Sequence, residues 1–197
     1  MYLRGERGLQ IMSNNLTTRP KKQIIIGIDP DTQGSGWACI NITDRTIQLE
    51  QLTIPKIVRL LQECRNEMDE QYLDTEYSYR FVLENVWGTS HNRHIEGQVK
   101  AQAIAKTGYN VGRCAMVGEV LRDLITDYEF PIICQPPLRK VWKGKNGKIT
   151  HEELLMVCQH HRLTLPKHKQ RATNQEDRDA LLLAIHHIAT PIKLFDQ

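Results

Sequence analysis

The chain lacks the features that mark membrane proteins, secreted proteins and common zinc modules. No apolar run approaches the roughly 20 residues that cross a bilayer, and residues 1–22 lack the apolar centre of a secretory signal. The five cysteines are odd in number, scattered and without a Cys-x-x-Cys pair, which argues against a disulfide framework. These absences predict a cytoplasmic protein with reduced thiols and no membrane partner.

The sequence also carries little net charge, so composition alone does not indicate a nucleic-acid partner. The formal charge is +3 over 197 residues, and 40% of the residues are hydrophobic, which is typical of a soluble globular protein. The length suits one domain with a substantial core. Residues 1–22 are polar and aperiodic and predict a disordered tail, which leaves residues 23–197 as the folded domain.

The most informative stretch is residues 23–42, with the sequence QIIIGIDPDTQGSGWACINI. Its nearly continuous β-branched run predicts a strand buried on both faces. Asp29 ends that strand, and Pro30 biases it towards an extended conformation. Gly34 and Gly36 favour a turn, and residues 37–42 predict a second strand. The pattern is a hairpin with a carboxylate at the end of its first strand, although an aspartate that merely starts a turn gives the same pattern.

Acidic residues stand in two further positions where a structural role does not fully explain them. Glu84 interrupts the apolar segment 79–86, YRFVLENV, and a carboxylate in a buried strand is costly unless it is paired or bound to metal. Glu176 and Asp179 share one face of a final helix predicted to begin at Asn174 or Gln175. Acids near a helix N-terminus are also favoured by the helix dipole, so this pair alone is weak evidence.

The remaining segments predict a mixed sheet flanked by helices, an α/β fold. In chain order they predict a strand at 46–53, helices at 54–68, 98–106 and 111–128, a strand at 131–134 and a helix at 150–161. Thr150 and Glu153 have the spacing of a capping box at the start of the last of these helices. Small residues in the helix at 111–128 favour close packing, which makes it a candidate dimer face or a buried helix.

The chemistry of these acids indicates a divalent metal site. Oxygen ligands without cysteine or histidine suit Mg²⁺ or Mn²⁺. Carboxylates from two strands and one helix can hold two ions about 4 Å apart, an arrangement that activates a water and stabilises the leaving oxygen of a phosphodiester. A zinc site assembled from His91, His94, Cys158, His160 and His161 is the weaker alternative, because their spacing matches no common module.

A basic stretch supports a phosphodiester substrate. Residues 135–148, QPPLRKVWKGKNGK, contain no acidic residue and include Trp142 among five cations, Arg139, Lys140, Lys143, Lys145 and Lys148. Clustered Lys and Arg neutralise phosphates. A solvated loop is the ordinary alternative, but beside carboxylates that would repel DNA the binding interpretation gains weight.

Three motifs in order resemble the RuvC family of Holliday-junction resolvases. GIDPDTQGSGWACI is similar to the family's opening motif, FVLENVW to its second, and QEDRDALLLAIHH to its last. The resemblance implies an RNase H-like mixed five-stranded sheet flanked by helices. It also implies a Mg²⁺-dependent homodimer with two ions per active site, in which Mn²⁺ is expected to substitute, that nicks four-way DNA junctions symmetrically.

Carried over by position, the resemblance implies Asp29, Glu84, Glu176 and Asp179 as metal ligands. The family usually has Asp or His where Glu176 stands, so Asp177 is a substitute ligand. Asp31 stands where the family usually has Gly, which makes it a supplementary acid or a turn residue.

The resemblance also implies residues that touch DNA. Lys140 matches a basic residue near the scissile phosphate, with Lys148 a second candidate. Trp87 falls where the family has an aromatic side chain that stacks on a base, although a core tryptophan is an equal alternative. Arg139, Lys143 and Lys145 are expected to contact the phosphate backbone of the DNA.

Two other functions stay open at this point. One is an RNase H-like nuclease for other branched DNA, flaps or RNA/DNA hybrids, which differs in substrate and keeps the chemistry. The other is a DNA-binding module without catalysis, against which the four acids argue. The region 88–110 is longer than in bacterial family members, which leaves junction handling open.

Overall fold

The structure, a computed structural model, describes residues 21–69, 76–88 and 101–189. Its strands are β1 (Lys21–Asp29), β2 (Ser35–Asn41), β3 (Thr46–Leu52), β4 (Glu76–Glu84) and β5 (Ile132–Gln135). They form one sheet in the order β3-β2-β1-β4-β5. β2 runs antiparallel to both β1 and β3, while β4 is parallel to β1 and β5 is parallel to β4.

Four helices cover the two faces of this sheet: α1 (Ile54–Asp69), α2 (Ala101–Asp127), α3 (His151–His160) and α4 (Gln175–His186). One core joins α3 and α4 to side chains such as Ile25 and Val82. The other joins α1 and the C-terminal part of α2 to side chains such as Ile26 and Phe81. β1 is therefore buried on both faces, and the predicted mixed α/β sheet flanked by helices is confirmed.

Two glycines let α4 lie directly on the sheet. A Cβ on Gly27 of β1 would collide with the backbone carbonyl of Ala180, and one on Gly36 of β2 would collide with that of Glu176. Because the helix backbone touches the strand backbone here, the first two turns of α4 are held above the end of β1. The sequence analysis gave Gly36 only a turn role, and the contact with α4 is its larger one.

Several predicted boundaries differ from the structure. β1 begins at Lys21, so Lys21 and Lys22 belong to the sheet and not to the predicted tail, while residues 1–20 lie outside the described residues. β4 spans 76–84, whereas the prediction was 79–86. Most of the polar loop predicted after it, residues 89–97, also lies outside the described residues.

The prediction of a helix break at residues 108–110 is wrong, because α2 is one helix of 27 residues. Gly108 and Gly112 lie in its exposed N-terminal half, where an added Cβ would meet nothing within 4 Å. A glycine there costs about 1 kcal/mol relative to alanine, which weakens a helix without ending it. Extending an existing helix costs far less than nucleating a new one.

None of the described helices combines the length and apolar character that crossing a membrane requires. The five cysteines are free thiols, as predicted.

Candidate active site

Three carboxylates from separate elements meet at one edge of the sheet. Ile28 pairs with Leu83 across the parallel strands β1 and β4, so the next residues, Asp29 and Glu84, emerge side by side. Asp179, in the second turn of α4, reaches the same place from above. All three line a cavity of about 340 Å³, whose other walls come from α2 and residues 137–149.

Asp29 and Glu84 share a crowded, partly buried environment. Burial, followed by the charges of Glu84 and Asp179, raises the pKa of Asp29 well above its ordinary value. Burial and then Asp179 also raise the pKa of Glu84. The contact between the two carboxyl groups raises the pKa of Asp29 and lowers the pKa of Glu84. In the absence of added cations, this site holds more negative charge than its surroundings compensate.

Asp179 is held from two sides. Gln175, one turn earlier in α4, donates from Nε2 to Asp179 Oδ1 at 2.6 Å. Lys148 lies on the other side, with Nζ 3.4 Å from Oδ2. Gln175 was not among the predicted site residues, but its i, i+4 spacing to Asp179 was a signal that could have found it.

Two lysines at the cavity offset part of the negative charge. Against the dominant effect of burial, Lys148 lowers the pKa of both Asp29 and Glu84, and Lys140 lowers that of Glu84. Both line the cavity. Lys148, the second candidate in the sequence analysis, contacts a carboxylate directly, whereas Lys140 acts at longer range.

The donor set consists of carboxylate oxygens, the ligand type that hard divalent cations prefer. The cavity offers carboxylate oxygens on three rigid elements, and a cation there would remove the repulsion that favours the proton on Asp29. As the side chains stand, no three acidic, histidine or cysteine side chains of the described residues form a metal-binding group. Joint ligation therefore requires rotation of side chains that already line one cavity.

The remaining predicted ligands lie outside the cavity. The described residues that line it include neither Glu176 nor Asp177. The carboxylate of Asp177 is fully buried, accepts the backbone N–H of Asn174 as part of a capping box, and pairs with Lys169 at 2.7 Å. Asp177 thus has a structural task, and Glu176 stays the predicted fourth ligand.

Trp87 packs within the chain. Its ring lies against Gly118 of α2, and the guanidinium of Arg122 is 5.6 Å from the ring centroid. The ring remains partly exposed. The close packing that small residues of this helix predicted is therefore intramolecular at Gly118, and base stacking by Trp87 stays a prediction.

Three of the predicted DNA-contacting residues, Arg139, Lys140 and Lys148, line the cavity. Arg139, Lys140, Lys143 and Lys145 are exposed, and Lys148 is partly buried. Trp142 packs against the core between α3 and α4 and anchors the loop. Its indole ring therefore serves the fold.

The α2 wall of the cavity was missed by sequence reasoning. Asn110, Val111 and Cys114 line the cavity, and the thiol of Cys114 lies 3.9 Å from Asp31 Oδ2. Only the wrongly predicted break at 108–110 obscured this wall, because it removed Asn110 from the helix. Of the proposed zinc residues, Cys158 is buried in the core, and His91 and His94 lie outside the described residues.

The chain matches no protein-family model and no curated protein. It is similar to the solved structure of Thermus thermophilus RuvC in complex with a Holliday junction substrate, with 16% identity, a TM-score of 0.40, and coverage of 84% of this chain and 92% of that chain. A second structure of Thermus thermophilus RuvC is 14% identical, with a TM-score of 0.39, and the match covers 83% of this chain and 92% of that chain. The function is therefore argued from the residues of the cavity.

Proposed function

We propose that the chain is a Mg²⁺-dependent endonuclease that resolves four-way DNA junctions by paired nicks and acts as a homodimer. The observation that carries this proposal is the convergence of Asp29, Glu84 and Asp179 in one cavity beside Lys140 and Lys148. Carboxylates concentrated beside cationic side chains suit a metal-assisted reaction on a phosphodiester. The junction as substrate rests on the resemblance of the three motifs.

The chain's own residues divide the work in this proposal. Asp29, Glu84 and Asp179, with Glu176 as a predicted fourth, would hold two Mg²⁺ ions, for which Mn²⁺ would substitute. The ions, when bound, supply an activated water and charge stabilisation at the phosphate. Gln175 orients Asp179 by its hydrogen bond. Lys140 and Lys148 attract the phosphate and offset repulsion between it and the carboxylates.

A homodimer suits this substrate because a four-way junction presents two equivalent strands to two equivalent sites. The exposed half of α2 supports such an interface. Met116, 62% exposed, and Tyr109, 66% exposed, give this helix apolar surface that a second copy of the chain would cover.

The test is cleavage of a synthetic four-way junction by the full chain in Mg²⁺, compared with Asp29→Asn and with EDTA. A three-way junction, a flap and an RNA/DNA hybrid serve as competing substrates. Paired symmetric nicks that require Mg²⁺ and Asp29 would support the proposal. Faster cutting of a flap or hybrid would support a nuclease with the same chemistry but a different substrate. Tight binding without cutting in Mg²⁺ or Mn²⁺ would support a non-catalytic DNA-binding module instead.

A further inference from the structure

A second basic loop (residues 166–173) has no role in the site described so far. It contains a 3-10 turn, Lys167–Lys169, and leads directly into α4. Lys167, His168 and Arg171 are exposed. Within the part of the chain that the structure describes, no acidic side chain forms an ion pair with Lys167 or Arg171. Their positive charge is therefore available to a partner.

A buried carboxylate holds this loop in place. Asp177, fully buried in the first turn of α4, accepts hydrogen bonds from Lys169 Nζ at 2.7 Å and from the backbone N–H of Asn174 at 3.1 Å. The charge of Lys169 is thereby neutralised inside the protein. What remains on the surface is a fixed loop that presents Lys167, His168 and Arg171.

The first basic loop (residues 139–148) is anchored in the same way. Glu153, only 7% exposed in the first turn of α3, accepts the backbone N–H groups of Lys143 at 3.1 Å and Thr150 at 3.0 Å. In this case the carboxylate binds the backbone of Lys143 and leaves its ammonium exposed. Both loops thus have a rigid base and free cationic ends.

His151, at the start of α3 and three residues after the first loop, holds the second loop beside it. Its Nδ1 is 3.1 Å from the Thr173 hydroxyl, and its Nε2 is 3.1 Å from the Gln170 carbonyl oxygen. The first loop also contacts Asp179 through Lys148. The surface is therefore continuous from the carboxylate cavity, across the first basic loop, to the second.

The charge of the chain is concentrated on this surface. Residues 139–173 contain nine Lys or Arg and two acids, Glu152 and Glu153, of which Glu153 is buried. Since the whole chain carries only +3, the remainder is net negative. A segment of this charge beside a site for phosphodiesters matches a polyanion longer than the one phosphate that enters the cavity.

We propose that the second basic loop binds the phosphate backbone of the DNA duplex arm next to the cleaved bond, through Lys167, His168 and Arg171. The inference rests on the proposed function for its substrate. It adds a contact surface outside the cavity that holds the duplex without reading its sequence, because contacts to phosphates fix position and carry no base information.

The test measures binding of a four-way junction and of a plain duplex in EDTA, where no cleavage occurs, over a range of salt concentrations. The variant is Lys167→Gln with Arg171→Gln. Its matched control is Lys56→Gln with Arg59→Gln, two exposed cations of α1 on the opposite face of the sheet. Both pairs remove two charges from exposed positions, so both proteins are expected to fold.

We expect the loop variant to bind at least about tenfold more weakly at roughly 0.1 M salt and its salt slope to shrink by about 1.8, because each phosphate contact contributes about 0.9. The control keeps the wild-type slope. Equal slopes for variant and wild type would overturn the inference.

The outcomes of this experiment distinguish failure of the loop contact from failure of the proposed function. If wild type binds DNA with the expected slope but never cuts in Mg²⁺ or Mn²⁺, the endonuclease is refuted and the loop contact stands. If wild type cuts junctions while the loop variant binds as tightly as wild type, the endonuclease stands and the loop contact is refuted.

Discussion

The carboxylate cavity and the two basic loops lie side by side and differ in how their charged groups are arranged. In the cavity, Asp29, Glu84 and Asp179 bring like charges together in a partly buried place, and burial with repulsion raises the pKa of Asp29 and Glu84. In the loops, the exposed cations stand apart in water. The buried acids there are Glu153, which accepts from two backbone N–H groups, and Asp177, whose Oδ2 accepts two hydrogen bonds while its Oδ1 has no hydrogen-bond partner among the described residues.

This difference separates groups kept for function from groups kept for folding. An uncompensated carboxylate destabilises the fold it belongs to and indicates a missing partner. A buried carboxylate that accepts hydrogen bonds stabilises the fold, and removing it leaves its former donors buried without partners, which lowers the free energy of unfolding. The two regions should therefore respond in opposite directions to the same chemical change, acid to amide.

The largest expected effect is that of Asp29→Asn on cleavage. If the cavity binds metal, losing one ligand removes several kcal/mol of charge stabilisation, a loss of about a thousandfold in rate. In EDTA the same variant should unfold at a higher temperature than wild type, because the amide removes a repelled, buried charge. Junction-cleavage rates and thermal melts measure both.

The matched control for Asp29→Asn is Asp127→Asn, an exposed aspartate at the end of α2. It should change neither the rate nor the melting temperature appreciably. An Asp29→Asn protein that melts below wild type in EDTA would contradict the view that this carboxylate is kept at a cost to stability.

Next in size is the effect of Asp177→Asn on folding. This change weakens a buried pair with Lys169 and leaves the lysine without its counter-charge, at a cost of about 3 kcal/mol. Urea unfolding should show a lower midpoint. The control is Glu152→Gln, which removes an exposed acid from the first turn of α3. If this variant loses as much stability as Asp177→Asn, the loss comes from removing negative charge near a helix N-terminus and not from breaking the Asp177–Lys169 pair.

Gly27→Ala should have a smaller effect that links the fold to the cavity. The added methyl group would meet the Ala180 carbonyl and push α4 from the sheet, at a cost of about 1–3 kcal/mol. Because Asp179 is carried by α4, cleavage should fall as well. Gly112→Ala is the control, where the methyl group meets nothing and about 1 kcal/mol of helix stability is gained. If both alanines stabilise the protein, the close approach of α4 is refuted.

The smallest effect concerns His187, whose pKa is lowered by burial and then by His186 and Arg80. A lowered pKa means that the folded state favours neutral His187, so its contribution to stability is present above its ordinary pKa and is lost as the pH falls below it. Wild-type melting temperature should fall from pH 7 to pH 5.5, and His187→Gln should flatten this fall slightly. An exposed control, His168→Gln, should leave the slope unchanged.

Local patterns predicted most of the elements. The β-branched run of β1, the helical spacing in α1 and the capping box of α3 each involve neighbours within a few positions, and all three were confirmed. The break at residues 108–110 failed because a weak helix former was given the weight of a helix terminator. Propagation of an already formed helix outweighed it.

Within the candidate site, Asp29 and Glu84 could be paired from the sequence once β1 and β4 were taken as parallel neighbours. Asp177 could not be separated from Glu176 in the same way. Both are acids in one helical turn, and only the position of Lys169 showed which one faces the protein interior. Lys148 and Gln175 gained their roles for the same reason, from contacts with Asp179 in three dimensions.

By itself, the sequence determined the strands, most of the helices, their caps and the acids that do not suit a purely structural role. These depend on periodicity and on interactions along a few residues. Tertiary structure alone decided which acids share the cavity, which is buried as an anchor, and that the two basic loops form one surface. Those outcomes depend on α4 resting on Gly27 and Gly36 and on His151, at the start of α3, holding the second loop, contacts between residues far apart in the chain.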